Sequence, residues 1–418
     1  MGKRNETCLL LEGLRVLDLT DEKGLLCGKV LGDLGADVIK VEKPGGDAVR
    51  KLGPFYHDIP HPERSLFWLA FNNNKRGITL NIETIDGQAI FKKLVGKSDF
   101  VIESFMPGFM DKLGLGYRVL GEIEPRIIMA SITPFGQTGP YKDFKASELV
   151  IMGMGGFLFL NGDADRAPVS FSFPQAFLLA GAEAASACMI AYYDREITGK
   201  GQYIDVSAQE GSVPLMTDAA ASWALNKWNV TRQGSLRIRP SGAYLRLTWP
   251  CKDGYVSLIL VGGKAGAQIF AGLNAWMDSE GMGDTYLKEM DAEAFDWSLA
   301  SPEVVNRLQE PIAKFFMTHT KAEIYTVALE KKIMIYPVNS SKDIWDDPQL
   351  RARHFWQEIE HPELGTKISY PIFGQMSETP IAICRRAPLI GEHNREIYEG
   401  ELGLSAQEMV LLEEANVI

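Results

Sequence analysis

Short apolar runs alternate with amphipathic segments along the first half of the chain. Residues 15–20 and 37–41 are rich in Val, Leu and Ile, which favours buried strands, and residues 24–34 between them space their apolar side chains as a helix does. This order of strand, helix and strand predicts a βαβ unit close to the start of the sequence.

The alternation continues through the next part of the chain. Strand-like segments occupy residues 77–82, 99–103, 126–132 and 203–207, and helical segments occupy residues 86–95, 147–159 and 176–198. Parallel strands need crossover connections, which place helices against the faces of the sheet. The pattern therefore predicts the α/β class, with a parallel sheet covered on both faces.

The pattern changes near Trp223, which indicates a second domain. The segment GAYLRLTWPCKDGYVSLILVGG predicts a hairpin that turns at Asp253 and Gly254. We assign residues 1–222 to the first part of a large domain and residues 223–332 to a small α+β domain. Residues 333–418 are predicted to return to the large domain and complete it.

A corner between a short alternating segment and a long apolar helix lies in residues 167–207. Residues 169–173 alternate as a short strand does, Pro174 follows, and the helix ends at Gly199. The junction carries the letters PQAF and no charged side chain. Because Glu183 interrupts the apolar run, we predict a core helix and not a membrane span.

Composition excludes several classes of partner. Asp and Glu number 54 against 43 Lys and Arg, a net charge of −11, which opposes binding of nucleic acid or an anionic membrane. The five cysteines lack metal-site spacing, so we expect neither disulfides nor a metal site. The first residues lack a signal-peptide core, and we expect a cytoplasmic protein.

Four loops are predicted to meet at the carboxyl edge of the sheet, where open parallel sheets bind ligands. They span residues 20–24, 42–47, 104–108 and 133–140. The basic residues near them are Lys43, Arg50, Lys75, Arg76 and Lys112. They suggest a phosphorylated ligand, although a solvated basic surface explains them equally well. Neither a GxGxxG motif nor a P-loop is present.

A series of motifs resembles class III CoA-transferases of the CaiB/BaiF and formyl-CoA-transferase type. In chain order they are LEGLRVLDLT, LGDLGADVIKVEKPGGDAVR, FNNNKRGITLNIET, DFVIESFMPG, ITPFGQTGPY, REITGKGQYIDVS, DDPQLRARHF and RRAPLIGEHNREI. The resemblance implies a Rossmann-like large domain, an inserted small domain and an interlocked dimer. It also implies that coenzyme A or an acyl-CoA binds as a substrate along the sheet edge, with no covalently bound cofactor.

The resemblance assigns the CoA-contacting positions residue by residue. They fall on Lys43, Lys75, Ser104, Phe105, Lys112 and Thr133. Family members often have Asn where this chain has Ser104. The first loop departs from the family pattern, because DEKGLL replaces the usual Ala-Gly-Pro turn.

The nucleophile position of the resemblance holds no acid. Family members attack the thioester with an aspartate, which forms a mixed anhydride with the acyl group. Counting back from Gly199 in the family register gives Phe177, and residues 167–182 contain no acidic side chain. The related racemases use a His-Asp pair. The histidine position holds Ser147, which disfavours racemisation.

Three functions remain open on the sequence. The first is a nucleophile-lacking subunit of a heteromeric CoA-transferase, acting between succinyl-CoA and a carboxylic acid such as benzylsuccinate, with a homologous partner that carries the catalytic Asp. The second is a self-sufficient enzyme that uses Glu183, Glu148 or Gln175. The third is a scaffold that holds a CoA ester.

Overall fold

The computed structural model describes residues 9–216, 218–239 and 241–418. Thirteen strands are formed within these residues. They are β1 (Arg15–Leu19), β2 (Asp37–Glu42), β3 (Lys75–Thr79), β4 (Phe100–Glu103), β5 (Ile128–Thr133), β6 (Tyr203–Ser207), β7 (Leu236–Ile238), β8 (Tyr244–Arg246), β9 (Thr248–Cys251), β10 (Gly254–Leu258), β11 (Ile335–Pro337), β12 (Trp356–His361) and β13 (Thr366–Pro371).

The α-helices of the described residues connect and cover these strands. They are α1 (Leu25–Asp33), α2 (Leu66–Phe71), α3 (Ile85–Val95), α4 (Phe109–Lys112), α5 (Tyr117–Ile123), α6 (Glu148–Met154), α7 (Phe157–Leu160), α8 (Ala176–Thr198), α9 (Ala208–Ser212), α10 (Ala219–Asn226), α11 (Gly263–Ser279), α12 (Thr285–Glu289), α13 (Pro302–Phe316), α14 (Lys321–Lys331), α15 (Ser341–Asp346), α16 (Pro348–Ala352) and α17 (Ala406–Glu414).

The main sheet has six parallel strands in the order β3-β2-β1-β4-β5-β6. This is the Rossmann order. Strands β2 and β3 are added on one side of β1, and strands β4, β5 and β6 on the other, so the order of strands reverses between β1 and β4. Every residue of β3, β4 and β5 is buried, as a sheet covered on both faces requires. The predicted α/β class with a parallel sheet is confirmed.

The chain divides into two compact units. The first comprises Met1–Leu158, Ser170–Ala221 and Gln349–Ile418, and the second comprises Phe159–Val169 and Ser222–Pro348. Residues 333–348, assigned from the sequence to the return segment, belong to the second unit. The reason is that β11 pairs with β10, inside the second unit's antiparallel sheet β11-β10-β9.

Contacts far apart in sequence explain how the C-terminal segment completes the first unit. The carbonyl of Pro388 accepts hydrogen bonds from Arg50 at 2.9 Å and from the Trp68 indole at 3.2 Å. The hydroxyl of Tyr398 donates to the carbonyl of Thr79 at 2.6 Å. These bonds satisfy buried polar groups beside β2 and β3, so the return segment is part of the core of this unit.

Three sequence-based assignments of local structure were wrong. Residues 169–173 form no strand, because the alternating side chains of Val169, Phe171 and Phe173 are exposed and no strand pairs with them. The predicted helix of residues 147–159 breaks after α6, where Gly156 adopts a φ of 86°. The hairpin turns one residue earlier than predicted, since Gly254 already pairs with Cys251.

Helix α8 is long and apolar enough to cross a membrane by length and composition alone. In the first unit it packs against α1, β5 and β6, and Phe177, Ala180, Ala184 and Cys188 are among its buried residues. It is therefore a core helix that covers one face of the main sheet.

A buried ionic cluster joins the first three strands of the sheet. Asp18, Lys40 and Lys75 have no exposed side-chain surface. The ammonium group of Lys75 lies 2.8 Å from Asp18 Oδ2, and that of Lys40 lies 3.7 Å from Asp18 Oδ1. Burial opposes ionisation of Asp18, but the two ammonium groups outweigh it and lower the pKa of this carboxyl.

Asp18→Asn is expected to lower the free energy of unfolding by about 3–5 kcal/mol, because two buried ammonium groups lose their carboxylate. Urea-induced unfolding of the purified protein measures the loss. The control Lys367→Met removes one partner of the exposed ion pair with Glu358, and about 1 kcal/mol or less is expected.

The stability lost in Asp18→Asn should depend on pH, and the pKa shift of Asp18 gives the sign of this dependence. The pKa of Asp18 is lower in the folded protein, so its stabilisation is present above the unfolded pKa of about 3.9 and is lost as pH falls through the lower folded value. The stability gap between wild type and Asp18→Asn should therefore narrow in acid. A gap independent of pH, or no larger than that of Lys367→Met, would contradict the assignment.

Candidate functional site

A cavity of about 310 Å³ lies in the first unit at the carboxyl edge of the sheet. Its lining comes from residues at the ends of four neighbouring strands, namely Leu19, Lys43, Leu80, Ser104 and Phe105. The cavity therefore spans the topological switch point between β1 and β4, where open parallel sheets bind their ligands.

Three of the six predicted CoA-contacting residues meet in this cavity. Lys43 is exposed at its rim, where its ammonium group pairs with Glu83, which is also exposed. Phe105 lies against Phe109, with ring centroids 4.7 Å apart. A cation beside an aromatic surface suits a ligand that carries both phosphate and a flat ring.

Ser104 ties the unusual first loop to the fourth strand. Its hydroxyl donates to Asp21 Oδ1 at 2.7 Å and accepts the backbone N–H of Asp21 at 2.8 Å. Lys23 pairs with the same carboxylate. The loop that departs from the family pattern is thus held in place by its own polar side chains.

The other three predicted residues lie outside the cavity. The ammonium group of Lys75 donates to Asp18, Leu25 and Asn72 and has no exposed surface. Lys112 is exposed at the end of α4. Thr133 is 1% exposed at the end of β5, and its hydroxyl has no hydrogen-bond partner among the described residues.

Two further basic residues of the predicted set are also buried and paired. The guanidinium of Arg50 binds both carboxylate oxygens of Glu42, at 2.6 and 2.7 Å, and stacks 3.7 Å above the Trp68 ring. Arg76 pairs with Asp37, Glu396 and Glu401. The suggested basic surface therefore reduces to Lys43 and Lys112, because the charges of Arg50, Lys75 and Arg76 are neutralised inside the protein.

The corner at the start of α8 holds Phe177 in its first turn. The side chain of Phe177 is 4% exposed and belongs to a core cluster with Ile151, Met152 and Ala180. Its ring therefore fills the interior beneath the sheet's helical cover. At the position that the resemblance assigns to the nucleophile, the chain buries a hydrocarbon ring.

A carboxylate from a neighbouring helix lies at the same corner. Glu148 Oε1 accepts the backbone N–H groups of Gln175 and Ala176 at 2.6 and 2.7 Å, and Oε2 accepts that of Phe177 at 3.1 Å. These are N–H groups that a helix start cannot pair internally, and the helix dipole also favours an anion there. From the sequence, Glu148 was proposed only as an alternative catalytic group, and no sequence pattern predicted this capping role.

The remaining alternative groups differ in their surroundings. The carboxylate of Glu183 lies against α9, since a Cβ built on Gly211 would be 2.4 Å from Glu183 Oε2. Burial, and then Glu210, raise the pKa of Glu183. Gln175 is exposed, and Ser147 stands at the start of α6 without capping it. No group of three His, Cys, Asp or Glu side chains in the described ranges is arranged to hold a metal ion.

A buried acid that sequence reasoning missed lies at the end of β4. Glu103 is 3% exposed and lines a second cavity of the first unit, about 410 Å³ in volume. Burial raises the pKa of Glu103 to about 7 against the opposing hydrogen bonds from Ser131 and from the N–H of Phe105. Its bond to Phe105, 2.7 Å long, orients the loop that lines the first cavity. The only signal in the sequence is an acid that ends an apolar strand.

Comparisons with known proteins identify a family that the chain matches along almost its whole length. The chain matches the model of CoA-transferase family III over residues 11–394. It is 35% identical over 386 residues to the succinyl-CoA:(R)-benzylsuccinate CoA-transferase subunit BbsE of Thauera aromatica, covering 92% of each protein. It is 31% identical over 412 residues to the succinyl-CoA–D-citramalate CoA-transferase of Chloroflexus aurantiacus, covering 98% of each.

A solved structure has the same architecture along almost its whole length. The CAIB/BAIF family protein from Brucella suis superimposes with a TM-score of 0.78 at 29% identity, covering 93% of this chain and 98% of that one. With the family match across residues 11–394, the chain belongs to CoA-transferase family III.

Proposed function

We propose that this chain is the nucleophile-lacking subunit of a heteromeric CoA-transferase. The complete enzyme moves CoA between succinyl-CoA and a carboxylic acid such as benzylsuccinate. A homologous subunit supplies the catalytic aspartate, in a heterodimer or a dimer of heterodimers with interlocked protomers. CoA thioester enters as a substrate without a covalently bound cofactor, and the enzyme works in the cytoplasm.

The burial of Phe177 carries this proposal. In the family reaction a carboxylate oxygen attacks the thioester carbonyl, CoA leaves as the thiolate, and an acyl anhydride of the enzyme remains. The ring of Phe177 has no lone pair for this attack, and only 4% of the residue is exposed. A complex that retains the reaction needs a carboxylate other than residue 177 of this chain, and we assign it to a homologous subunit.

Two further observations support a heteromer that handles CoA thioesters. The relative from Thauera aromatica is named as a subunit of succinyl-CoA:(R)-benzylsuccinate CoA-transferase. The cavity beside Lys43, Ser104 and Phe105 keeps space, a cation and an aromatic ring at the sheet edge. These features support the proposal that this subunit binds a CoA ester.

A self-sufficient enzyme is the second candidate, and Glu148 is the observation that favours it. Its carboxylate lies beside residue 177 at the start of α8. Both of its oxygens, however, already accept backbone N–H groups. Hydrogen bonds of this kind stabilise the ground-state anion and hold the oxygens toward the helix, which weakens Glu148 as a nucleophile.

The purified chain alone is expected to exchange no CoA between succinyl-CoA and benzylsuccinate or another acid. Loss of a covalent nucleophile removes several orders of magnitude in rate. Product CoA esters separated by chromatography measure the exchange. Turnover at ordinary enzyme rates that Glu148→Gln abolishes would establish the self-sufficient alternative instead.

Phe177→Asp is expected to restore slow exchange and an anhydride on residue 177, because the start of α8 is kept in register by Glu148. Hydroxylamine trapping followed by peptide mass mapping locates the adduct. Phe177→Asn is the matched control, since it makes a similar cavity without a carboxylate. Both variants should lose about 3–5 kcal/mol of stability from the buried ring. A variant that binds CoA ester but forms no adduct would show that the pocket has closed around residue 177.

Co-expression with an aspartate-bearing homologue is expected to give a stable heteromer. Obligate interfaces bury a large apolar area and form together with the fold, so mixed assemblies should survive native mass spectrometry. The masses give the stoichiometry directly. Homodimers that refuse to mix with such a homologue would refute the heteromer.

A further inference from the structure

The second unit contains a cavity of about 360 Å³ at the N-terminal end of α11. Arg239, Gly262, Gly263, Phe295 and Trp297 are among its lining residues. All of its lining residues belong to the second unit.

Helix α11 presents an uncapped positive end to this cavity. The helix is 17 residues long, and the residue at its N-cap is Gly262, which has no side chain to cap it. The N–H of Gly263 is satisfied by the carbonyl of Glu293 at 3.0 Å. A Cβ built on Gly263, whose φ is 73°, would meet nothing within 4 Å, so the space beside the first turn is open. Such helix starts favour an anion.

An unpaired indole N–H lies at the same place. Trp297 is 4% exposed, and its Nε1 is buried without an acceptor among the described residues. The edge of the ring that carries this N–H faces the helix start, because Trp297 Cδ1 is 3.8 Å from a Cβ built on Gly262. Buried donors without partners are uncommon in proteins, and a ligand that accepts the bond is one explanation.

Arg239 adds a positive charge to the lining of this cavity. Its Nε is also buried without an acceptor among the described residues. Burial, and then the nearby Arg237, lower the pKa of Arg239. Asp296 acts in the opposite direction on Arg239, but its Oδ1 is occupied by the N–H and hydroxyl of Ser298, at 2.8 and 2.5 Å.

We propose that Arg239, the Trp297 indole N–H and the start of α11 bind the carboxylate of an organic acid. The planar guanidinium of Arg239 suits a carboxylate group, and the apolar surfaces of Phe295 and Trp297 suit a hydrocarbon body next to that carboxylate, which inorganic phosphate lacks. The identification of this acid as the CoA acceptor rests on the proposed function. The binding itself does not, since it needs neither catalysis nor a partner.

The test measures binding of succinate and benzylsuccinate to the full chain by calorimetry. In parallel, the indole N–H signals of the ¹⁵N-labelled protein are followed by NMR. We expect one indole signal to shift on addition of either acid, and Trp297→Phe, which keeps an aromatic ring but loses the indole N–H, to remove that signal. Inorganic phosphate is the probe for a phosphate ligand in place of a carboxylate, and we expect it to bind more weakly than either acid.

Arg239→Gln is expected to weaken binding of both acids about tenfold or more, because it removes a charged hydrogen-bond donor. Arg237→Gln is the matched control, two residues away and exposed, and should weaken binding far less than Arg239→Gln, because it removes a nearby charge but no proposed contact to the acid. The proposal is overturned if the wild-type protein binds neither acid at millimolar concentration. It is also overturned if the two arginine variants weaken binding equally, or if phosphate binds more tightly than both acids.

These outcomes are separable from failure of the proposed function. If the isolated chain turns over substrate, the heteromeric role fails while the calorimetric and NMR results still stand. If the acids do not bind, the carboxylate site fails while the partner and trapping experiments remain decisive for the nucleophile-lacking role.

Discussion

The three hydrogen bonds from the start of α8 to Glu148 fix the corner on which the functional account depends. A helix start must find acceptors for its first N–H groups, and here one carboxylate from α6 accepts from three successive residues. The anchored helix then directs Phe177 into the core of the first unit. The corner therefore contains a carboxylate whose two oxygens both accept backbone N–H groups of the helix start.

The sheet imposes the second constraint. Parallel strands buried on both faces leave their carboxyl edge as the surface where chain ends, loops and ligands meet. In this chain the charges close to that edge are largely internal, because Asp18 holds Lys75 and Glu42 holds Arg50. Lys43 remains exposed at the cavity and is the cation most available to a phosphate there.

Sequence patterns correctly predicted strands whose side chains are largely buried and the long apolar helix. Strands β1, β2 and β4 and helix α8 were found within a residue or two of their actual bounds, since buried strands give short apolar runs and a long core helix gives a continuous one. The pattern failed at residues 169–173, where alternation arises from exposed aromatic side chains without a partner strand.

The site was harder to predict because charge pairing is decided by contacts remote in sequence. Lys75 and Arg76 resemble phosphate ligands until Asp18, Asp37 and Glu401 are brought beside them by the fold. The capping by Glu148 and the burial of Glu103 likewise depend on packing that no local spacing encodes. Phe177 was assigned to the family's nucleophile position by register alone, and the structure adds that its ring is buried in the core of the first unit.

The most direct test of the nucleophile-lacking role is to locate the acyl-enzyme anhydride in the assembled heteromer. The wild-type complex is mixed with succinyl-CoA, trapped with hydroxylamine, and both subunits are mapped by peptide mass spectrometry. The account predicts an adduct on the aspartate of the homologous subunit and none on this chain. An adduct on Glu148 or Glu183 of this chain would contradict it.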